Sequence, residues 1–108
     1  MPNDAVVTYE QMDADGLVVA ALRGDLDLDQ ADAVRDSLAA AAAVAECNYL
    51  RVDVAAVTFI DSYALGALVS ARNAAASRGV TFTLANPSRQ VRKAVQVTGL
   101  SHVFGLPA

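Results

Sequence analysis

This sequence of 108 residues has one cysteine and one histidine. Cys47 has no partner for an internal disulfide, and an unpaired thiol is typical of a reducing cytosol. It follows the end of a predicted helix, where the helix dipole raises a thiol pKa and disfavours a nucleophile. His102 is the only available base for a Ser-His-Asp or Cys-His arrangement, and we expect a structural or exposed role for it. The sequence therefore does not predict an enzyme.

Long apolar runs and a basic N-terminal segment are also missing. The longest continuous apolar run covers residues 38–45, far short of the ~18–20 residues that a membrane-spanning helix needs. The first fifteen residues include four acids but no Lys or Arg, unlike a signal peptide. With 55% hydrophobic residues, we expect one soluble domain over residues 1–108, located in the cytoplasm without membrane insertion.

Basic residues are few. Eight Lys and Arg stand against twelve Asp and Glu, which gives a formal net charge of −4. Nucleic-acid-binding domains normally carry a basic face, so this class is not expected. The one basic cluster, formed by Arg89, Arg92 and Lys93, is interpreted as the solvated face of a helix.

Motifs for nucleotide and metal binding are missing as well. The glycines are scattered and no GK[ST] sequence follows them, so there is no P-loop. The spacing of Asp25, Asp27, Asp29 and Asp36 matches the acids of a calcium loop, but Gln30 stands where that loop needs glycine. We interpret these acids as helix caps and turn formers, and predict no metal and no cofactor.

What the sequence does contain is a regular alternation of strand and helix patterns. Strands are predicted at residues 5–11, 17–22, 49–54, 80–85 and 102–106. Helices are predicted at residues 29–46, 63–78 and 88–98. We expect Gly24 to end the second strand, Asp29 to cap the first helix, and the segment 49–54 to be central in the sheet. The order β-β-α-β-α-β-α-β predicts an α/β fold with a mostly parallel sheet of four to five strands.

The most informative segment is 52–68 (VDVAAVTFIDSYALGAL), which runs from a strand through Asp61 and Ser62 into an apolar helix. The first N–H groups of a helix are unpaired and its dipole favours negative charge. Ser62 is therefore either a structural cap or a hydroxyl that can carry a phosphate. Asp27 lies in another strand-to-helix connection, and both connections leave a parallel sheet at its carboxyl edge. We expect Asp27, Asp61 and Ser62 to share one small surface.

Residues 24–27 (GDLD), followed by 59–62 (FIDS) and 65–66 (LG), resemble a STAS domain of the anti-sigma-factor antagonist type. The likeness extends from about residue 6 to residue 104. The resemblance implies that an anti-sigma factor with serine kinase activity phosphorylates Ser62, with Asp27 nearby. It also implies that the unphosphorylated form binds this partner and frees the sigma factor, and that a phosphatase is a further partner.

Two features depart from the family. Its members commonly have a small Ser or Thr and then Gly after the phosphorylated residue, where this chain has Tyr63 and Ala64. They also usually continue into a C-terminal helix, whereas this chain stops at Ala108. On the resemblance, the residues expected to contact the partner are Asp27, Asp61, Ser62, Tyr63, Ala64 and Leu65.

Two other functions stay open on the sequence. A STAS-like domain can be a constitutive accessory subunit, for example of a membrane lipid transporter, with Ser62 acting only as a cap. The bulky Tyr63 favours this alternative. The same helix N-terminus could instead bind a nucleotide or another small anion, although the net negative charge and the lack of Lys or Arg near Ser62 in the sequence weigh against such a sensor. The sequence does not predict an oligomeric state.

Overall fold

The computed structural model describes residues 6–11, 15–44 and 46–106. The elements within these residues are β1 (Val6–Gln11), β2 (Leu17–Leu26), α1 (Leu28–Ala42), β3 (Tyr49–Ile60), α2 (Ser62–Ser77), β4 (Thr81–Ala85), α3 (Arg89–Val97) and a 3-10 turn (His102–Phe104). None of these helices is both long and apolar enough to cross a membrane.

The strands form one sheet in the order β1-β2-β3-β4. Strand β1 pairs with β2 in the antiparallel direction, whereas β2, β3 and β4 are parallel neighbours. Strand β3 is paired on both sides, so the central position predicted for residues 49–54 is observed. The helices between the parallel strands supply the crossover connections that parallel pairing requires.

One face of the sheet is buried. Along β3, Leu50, Val52 and Val54 are fully buried, whereas Arg51 is exposed and Asp53 is half-buried. This alternation places the two charged residues of the strand on the open face of the sheet. Helices α1 and α2 contact each other. Many of their buried residues are small: Ala31, Ala41, Ala42, Ala64, Ala67, Ala71 and Ala75.

Strand β2 does not end at Gly24, as the sequence predicts, but continues to Leu26. Gly24 has a φ of +89°, and the register between β2 and β3 shifts between Gly24 and Asp25. A glycine with positive φ allows such a β-bulge without ending the strand. Strand β3 also passes its predicted end at residue 54, and Leu26 pairs with Ile60. The two strands therefore end side by side.

Helix α1 begins and ends earlier than predicted. Asp27, and not Asp29, is the N-cap, because Asp27 has extended backbone angles and its Oδ1 accepts a hydrogen bond from the Asp29 N–H at 3.0 Å. The helix ends at Ala42, short of residue 46. Glu46 itself has a φ of +67°, which a right-handed helix does not contain. Helices α2 and α3 match the predicted ranges 63–78 and 88–98 to within one residue at each end.

Residues 102–104 form a 3-10 turn, so the predicted edge strand at residues 102–106 is wrong. Phe104 is fully buried, and the centroid of its ring lies 6.3 Å from that of Phe82 in β4. The turn places this aromatic side chain in the core, where its burial stabilises the fold. His102, at the start of the turn, is exposed.

Candidate functional site

The candidate site lies at the carboxyl edge of the sheet, where β2 and β3 end together. Leu26 pairs with Ile60, and the Asp61 N–H donates to the Leu26 carbonyl at 3.1 Å. Asp27 and Asp61, the next residue of each strand, are the N-caps of α1 and α2. The carboxyl edge of parallel strands is where functional loops of α/β folds occur.

The carboxylate of Asp61 caps two helices at once. Its Oδ1 accepts a hydrogen bond from the Ala64 N–H at 2.8 Å, within its own helix α2. Its Oδ2 accepts a hydrogen bond from the Leu28 N–H at 2.9 Å, at the start of α1. Both contacts satisfy N–H groups that a helix start leaves unpaired, and both helix dipoles favour the negative charge. Asp61 therefore fixes the position of the α2 start relative to α1.

Ser62 is the first residue of α2 and is exposed. Asp61 is the N-cap of this helix, and the Ser62 hydroxyl has no hydrogen-bond partner among the described residues. The interpretation of Ser62 as a structural cap is therefore wrong. Its side chain is exposed to solvent at the edge of the sheet that also holds Asp27.

The residues that follow Ser62 differ in exposure. Tyr63 is 55% exposed, whereas Ala64 and Leu65 are each only 3% exposed. Tyr63 can therefore contact a partner directly. Ala64 offers almost no side-chain surface and contributes its backbone N–H to the Asp61 cap.

Several large apolar side chains are exposed near Ser62. Within the described residues, four of them are exposed: Leu28, Phe59, Tyr63 and Val97. Leu28 is bound to Asp61 through its N–H, and Tyr63 adjoins Ser62 in sequence. Phe59 and Val97 line one groove together with Ser62. We call these four residues and Ser62 the Ser62 surface, because exposed large apolar side chains are typical of interaction sites.

The sequence patterns do not predict the exposure of Leu28, Phe59 and Val97. The exposure of Leu28 could have been inferred from the sequence. Leu28 lies between Asp27 and Asp29 at the start of α1, before the buried apolar stripe of that helix. No sequence pattern indicates that Val97, at the end of α3, lies near Ser62.

The groove beside Ser62 has a volume of about 350 Å³ and lies between the start of α2 and helix α3. Its apolar lining includes Phe59, Leu65 and Val97, and Lys93 from α3 is the one cation among its lining residues. Concave, mostly apolar sites with a few polar groups are typical of binding sites.

Charged residues lie on both sides of Ser62. On the α1 side, Arg35 shares a shallow pocket with Ser62 and makes ion pairs with Asp36 at 3.1 Å and Asp32 at 3.4 Å. The hydrogen bond to Asp36 is the main cause of a raised Arg35 pKa. On the α3 side, Lys93 has no ion pair within the described part of the chain. No Lys or Arg is near Ser62 in the sequence, but in the folded protein Arg35 and Lys93 each line a pocket with Ser62. The expectation of no nearby cation is therefore wrong.

Cys47 is half-buried, and burial raises the pKa of its thiol, which donates to the Tyr49 carbonyl at 3.8 Å. Burial is the main cause of this shift. Residues 6–11, 15–44 and 46–106 contain no group of three or more His, Cys, Asp or Glu placed to hold a metal ion.

Several solved structures share this architecture. The anti-sigma factor antagonist SpoIIAA in its unphosphorylated form is 25% identical over 88% of this chain and 82% of its own, with a TM-score of 0.72. An anti-sigma factor antagonist from Mycobacterium paratuberculosis is 26% identical over 98% of this chain and 87% of its own, with a TM-score of 0.77. The murine anion transporter Slc26a9 is 18% identical, and the match covers 95% of this chain and 19% of the transporter, with a TM-score of 0.73. At that identity the likeness to the transporter shows the fold alone.

Two comparisons concern the sequence itself. The search of curated proteins found no match to the chain. The family model of the STAS domain matches residues 8–107, nearly the whole sequence. The three-helix α/β architecture agrees with this match. The protein therefore belongs to the STAS domain family.

Proposed function

We propose that this protein is an anti-sigma factor antagonist regulated by phosphorylation of Ser62. In its unphosphorylated form it binds an anti-sigma factor with serine kinase activity in the cytoplasm, and so frees a sigma factor. The kinase then phosphorylates Ser62 and the complex dissociates. A phosphatase removes the phosphate and so restores the unphosphorylated form that binds the anti-sigma factor. The protein acts by binding and not as an enzyme. Two similar structures are anti-sigma factor antagonists, and SpoIIAA has been solved in unphosphorylated and phosphorylated forms.

The observation that carries this proposal is the position of the Ser62 hydroxyl. It is exposed, makes no hydrogen bond within the described residues, and lies among the exposed apolar side chains of the Ser62 surface. A partner that covers Leu28, Phe59 and Tyr63 removes apolar area from water, which contributes about 25 cal/mol for each Å² buried. The same partner covers the hydroxyl, so a change at Ser62 alters the centre of the interface.

Phosphorylation would act on the interface and not on the fold. It adds about −1.5 to −2 charges at pH 7, beside the carboxylate of Asp61. The helix start stabilises this charge by about 0.3–1 kcal/mol, so the domain stays folded. A partner that covered the site would have to desolvate the phosphate. A loss of about 3–4 kcal/mol in binding lowers the affinity several-hundred-fold.

Calorimetry with the anti-sigma kinase that co-purifies with this chain tests the proposal. We expect Ser62→Ala to bind as tightly as the unphosphorylated protein and to stay bound in the presence of ATP. We expect Ser62→Asp to bind at least tenfold more weakly, because its carboxylate imitates part of the phosphate charge. Ser77→Asp, at the other end of α2, is the matched control and leaves the affinity unchanged. Equal affinities of Ser62→Ala and Ser62→Asp would overturn charge gating and favour a constitutive accessory subunit.

Tyr63 supplies a second test of the same surface. Because its side chain is 55% exposed, replacing it changes stability by no more than about 0.5 kcal/mol. We expect Tyr63→Ser to lower the partner affinity at least tenfold, since exposed aromatic side chains are frequent anchors of interfaces. A large fall in melting temperature with unchanged affinity would show instead that Tyr63 only covers the apolar surface beneath it.

A further inference from the structure

We propose that Lys93 binds the phosphate of phosphorylated Ser62 and that this contact draws the Lys93 side chain across the groove between α2 and α3. The inference rests on the proposed function for the presence of the phosphate. It adds an intramolecular partner for that phosphate, on helix α3, which lies outside the segments 24–27, 59–62 and 65–66 that resemble the STAS family.

Lys93 and Ser62 line the same groove of about 350 Å³, from opposite elements. Helix α3 is held beside β3 and α2 by its own contacts with both elements, including two fully buried residues, Val91 and Val95. The lysine side chain is a flexible four-carbon stem with three donors at its end, and ammonium groups are common phosphate ligands. A phosphate on Ser62 would adjoin the groove that Lys93 also lines.

The charges beside Ser62 also favour Lys93. The charged residues that line the two pockets beside Ser62 are Asp61 at the start of α2, Asp32 and Arg35 on α1, and Lys93 on α3. Asp61 is occupied by two backbone N–H groups and repels the phosphate. Arg35 is already shared between two carboxylates. Lys93 is exposed and has no ion pair within the described residues. Lys93 on α3 is therefore the cation that is available to pair with the phosphate dianion.

The contact has a consequence for the partner surface. Val97 lies four positions after Lys93, on the same face of α3, and lines the groove with Phe59. A Lys93 side chain held at the phosphate lies over these apolar residues. Phosphorylation then acts twice: it adds charge at Ser62, and it covers part of the apolar groove that a partner would otherwise contact.

A titration of the phosphate tests this contact without the kinase or any partner. The protein is made with phosphoserine incorporated at position 62, and the second pKa of the phosphate is measured by phosphorus NMR. This pKa is about 6 for a free phosphoserine. A nearby cation favours the dianion and lowers the pKa, whereas the Asp61 charge raises it. We expect Lys93→Gln to raise the phosphate pKa by about 0.5 units or more relative to the otherwise unchanged phosphoprotein.

Two further variants and a second readout make the result decisive. Arg92→Gln removes a neighbouring exposed charge of α3 that does not line the groove, and we expect almost no change in the phosphate pKa. In the phosphorylated protein, the NMR signals of Phe59 and Val97 should shift relative to the unphosphorylated form, and Lys93→Gln should reduce that shift.

An unchanged phosphate pKa in Lys93→Gln overturns the proposal. A rise of the phosphate pKa in Arg35→Gln but not in Lys93→Gln also overturns it. Either result leaves the calorimetric test of Ser62 gating unaffected, so the two proposals fail separately.

Discussion

Leu28 and Asp61 are 33 positions apart in sequence, and the Leu28 N–H donates to Asp61 Oδ2 at 2.9 Å. The other carboxylate oxygen of Asp61 accepts from the Ala64 N–H at 2.8 Å. One side chain thus holds the starts of α1 and α2 together directly before Ser62. A substitution at Asp61 therefore affects two helices.

We expect Asp61→Ala to lower the free energy of unfolding by about 1.5–2 kcal/mol. About 1 kcal/mol comes from the lost α2 cap and about 0.5–1 kcal/mol from the unpaired Leu28 N–H. Asp27→Ala, which removes a cap of α1 only, is the control and should cost about 1 kcal/mol. Urea denaturation measures both values. Equal losses in the two variants would mean that the bond to Leu28 does not stabilise the protein.

Ser62→Ala should leave the free energy of unfolding within about 0.5 kcal/mol of the wild-type value. The hydroxyl has no hydrogen bond in the described structure, and alanine is the better helix former. Ser88→Ala is the contrasting variant, because the Ser88 hydroxyl caps α3 by accepting from the Val91 N–H at 3.4 Å. It should cost about 0.5–1 kcal/mol by urea denaturation. A loss above about 1 kcal/mol in Ser62→Ala would assign a structural role to its hydroxyl.

Gly16→Ala should destabilise the protein more than Gly79→Ala. Both glycines have a left-handed backbone, with φ of +84° and +76°, so alanine is strained at either position. At Gly16 an added Cβ would also lie 2.3 Å from the Glu46 carbonyl oxygen, whereas at Gly79 no atom lies within 4 Å. We expect losses of about 3 kcal/mol or more at Gly16 and about 1–2 kcal/mol at Gly79. Similar melting temperatures for the two variants would contradict this difference.

Cys47 should make stability depend on pH in the alkaline range. Burial raises the pKa of its thiol in the folded protein above the ordinary value. The unfolded state therefore releases the proton first as the pH rises. The stabilising contribution is complete below the ordinary thiol pKa and disappears as the pH passes through the raised folded-state pKa.

Iodoacetamide labelling followed by mass spectrometry checks the Cys47 prediction, because only the thiolate reacts. The pH midpoint of labelling should be higher for the folded protein than for the same chain unfolded in urea. Identical midpoints for the folded and unfolded chains would show that burial does not protect this thiol.

Local sequence signals determined much of the architecture. The strand and helix patterns gave the order of the elements from β1 to α3, the positions of α2 and α3 to within one residue at each end, and the central position of β3. These features depend on caps, glycines and apolar spacing within a few residues of each other. Ser62 was placed at a helix start for the same reason, since the strand, Asp61 and the apolar helix are adjacent in the chain.

The tertiary structure decided what surrounds Ser62. The double cap of Asp61, the groove shared with Lys93 and Val97, and the second cation at Arg35 each join segments that are 27 or more positions apart. The Gly24 bulge and the burial of Phe104 also depend on a neighbouring strand. Sequence periodicity shows which face of an element is apolar, but not which other element lies against it. The contacts of an exposed residue therefore appear only when strand pairing and helix packing bring separate segments together.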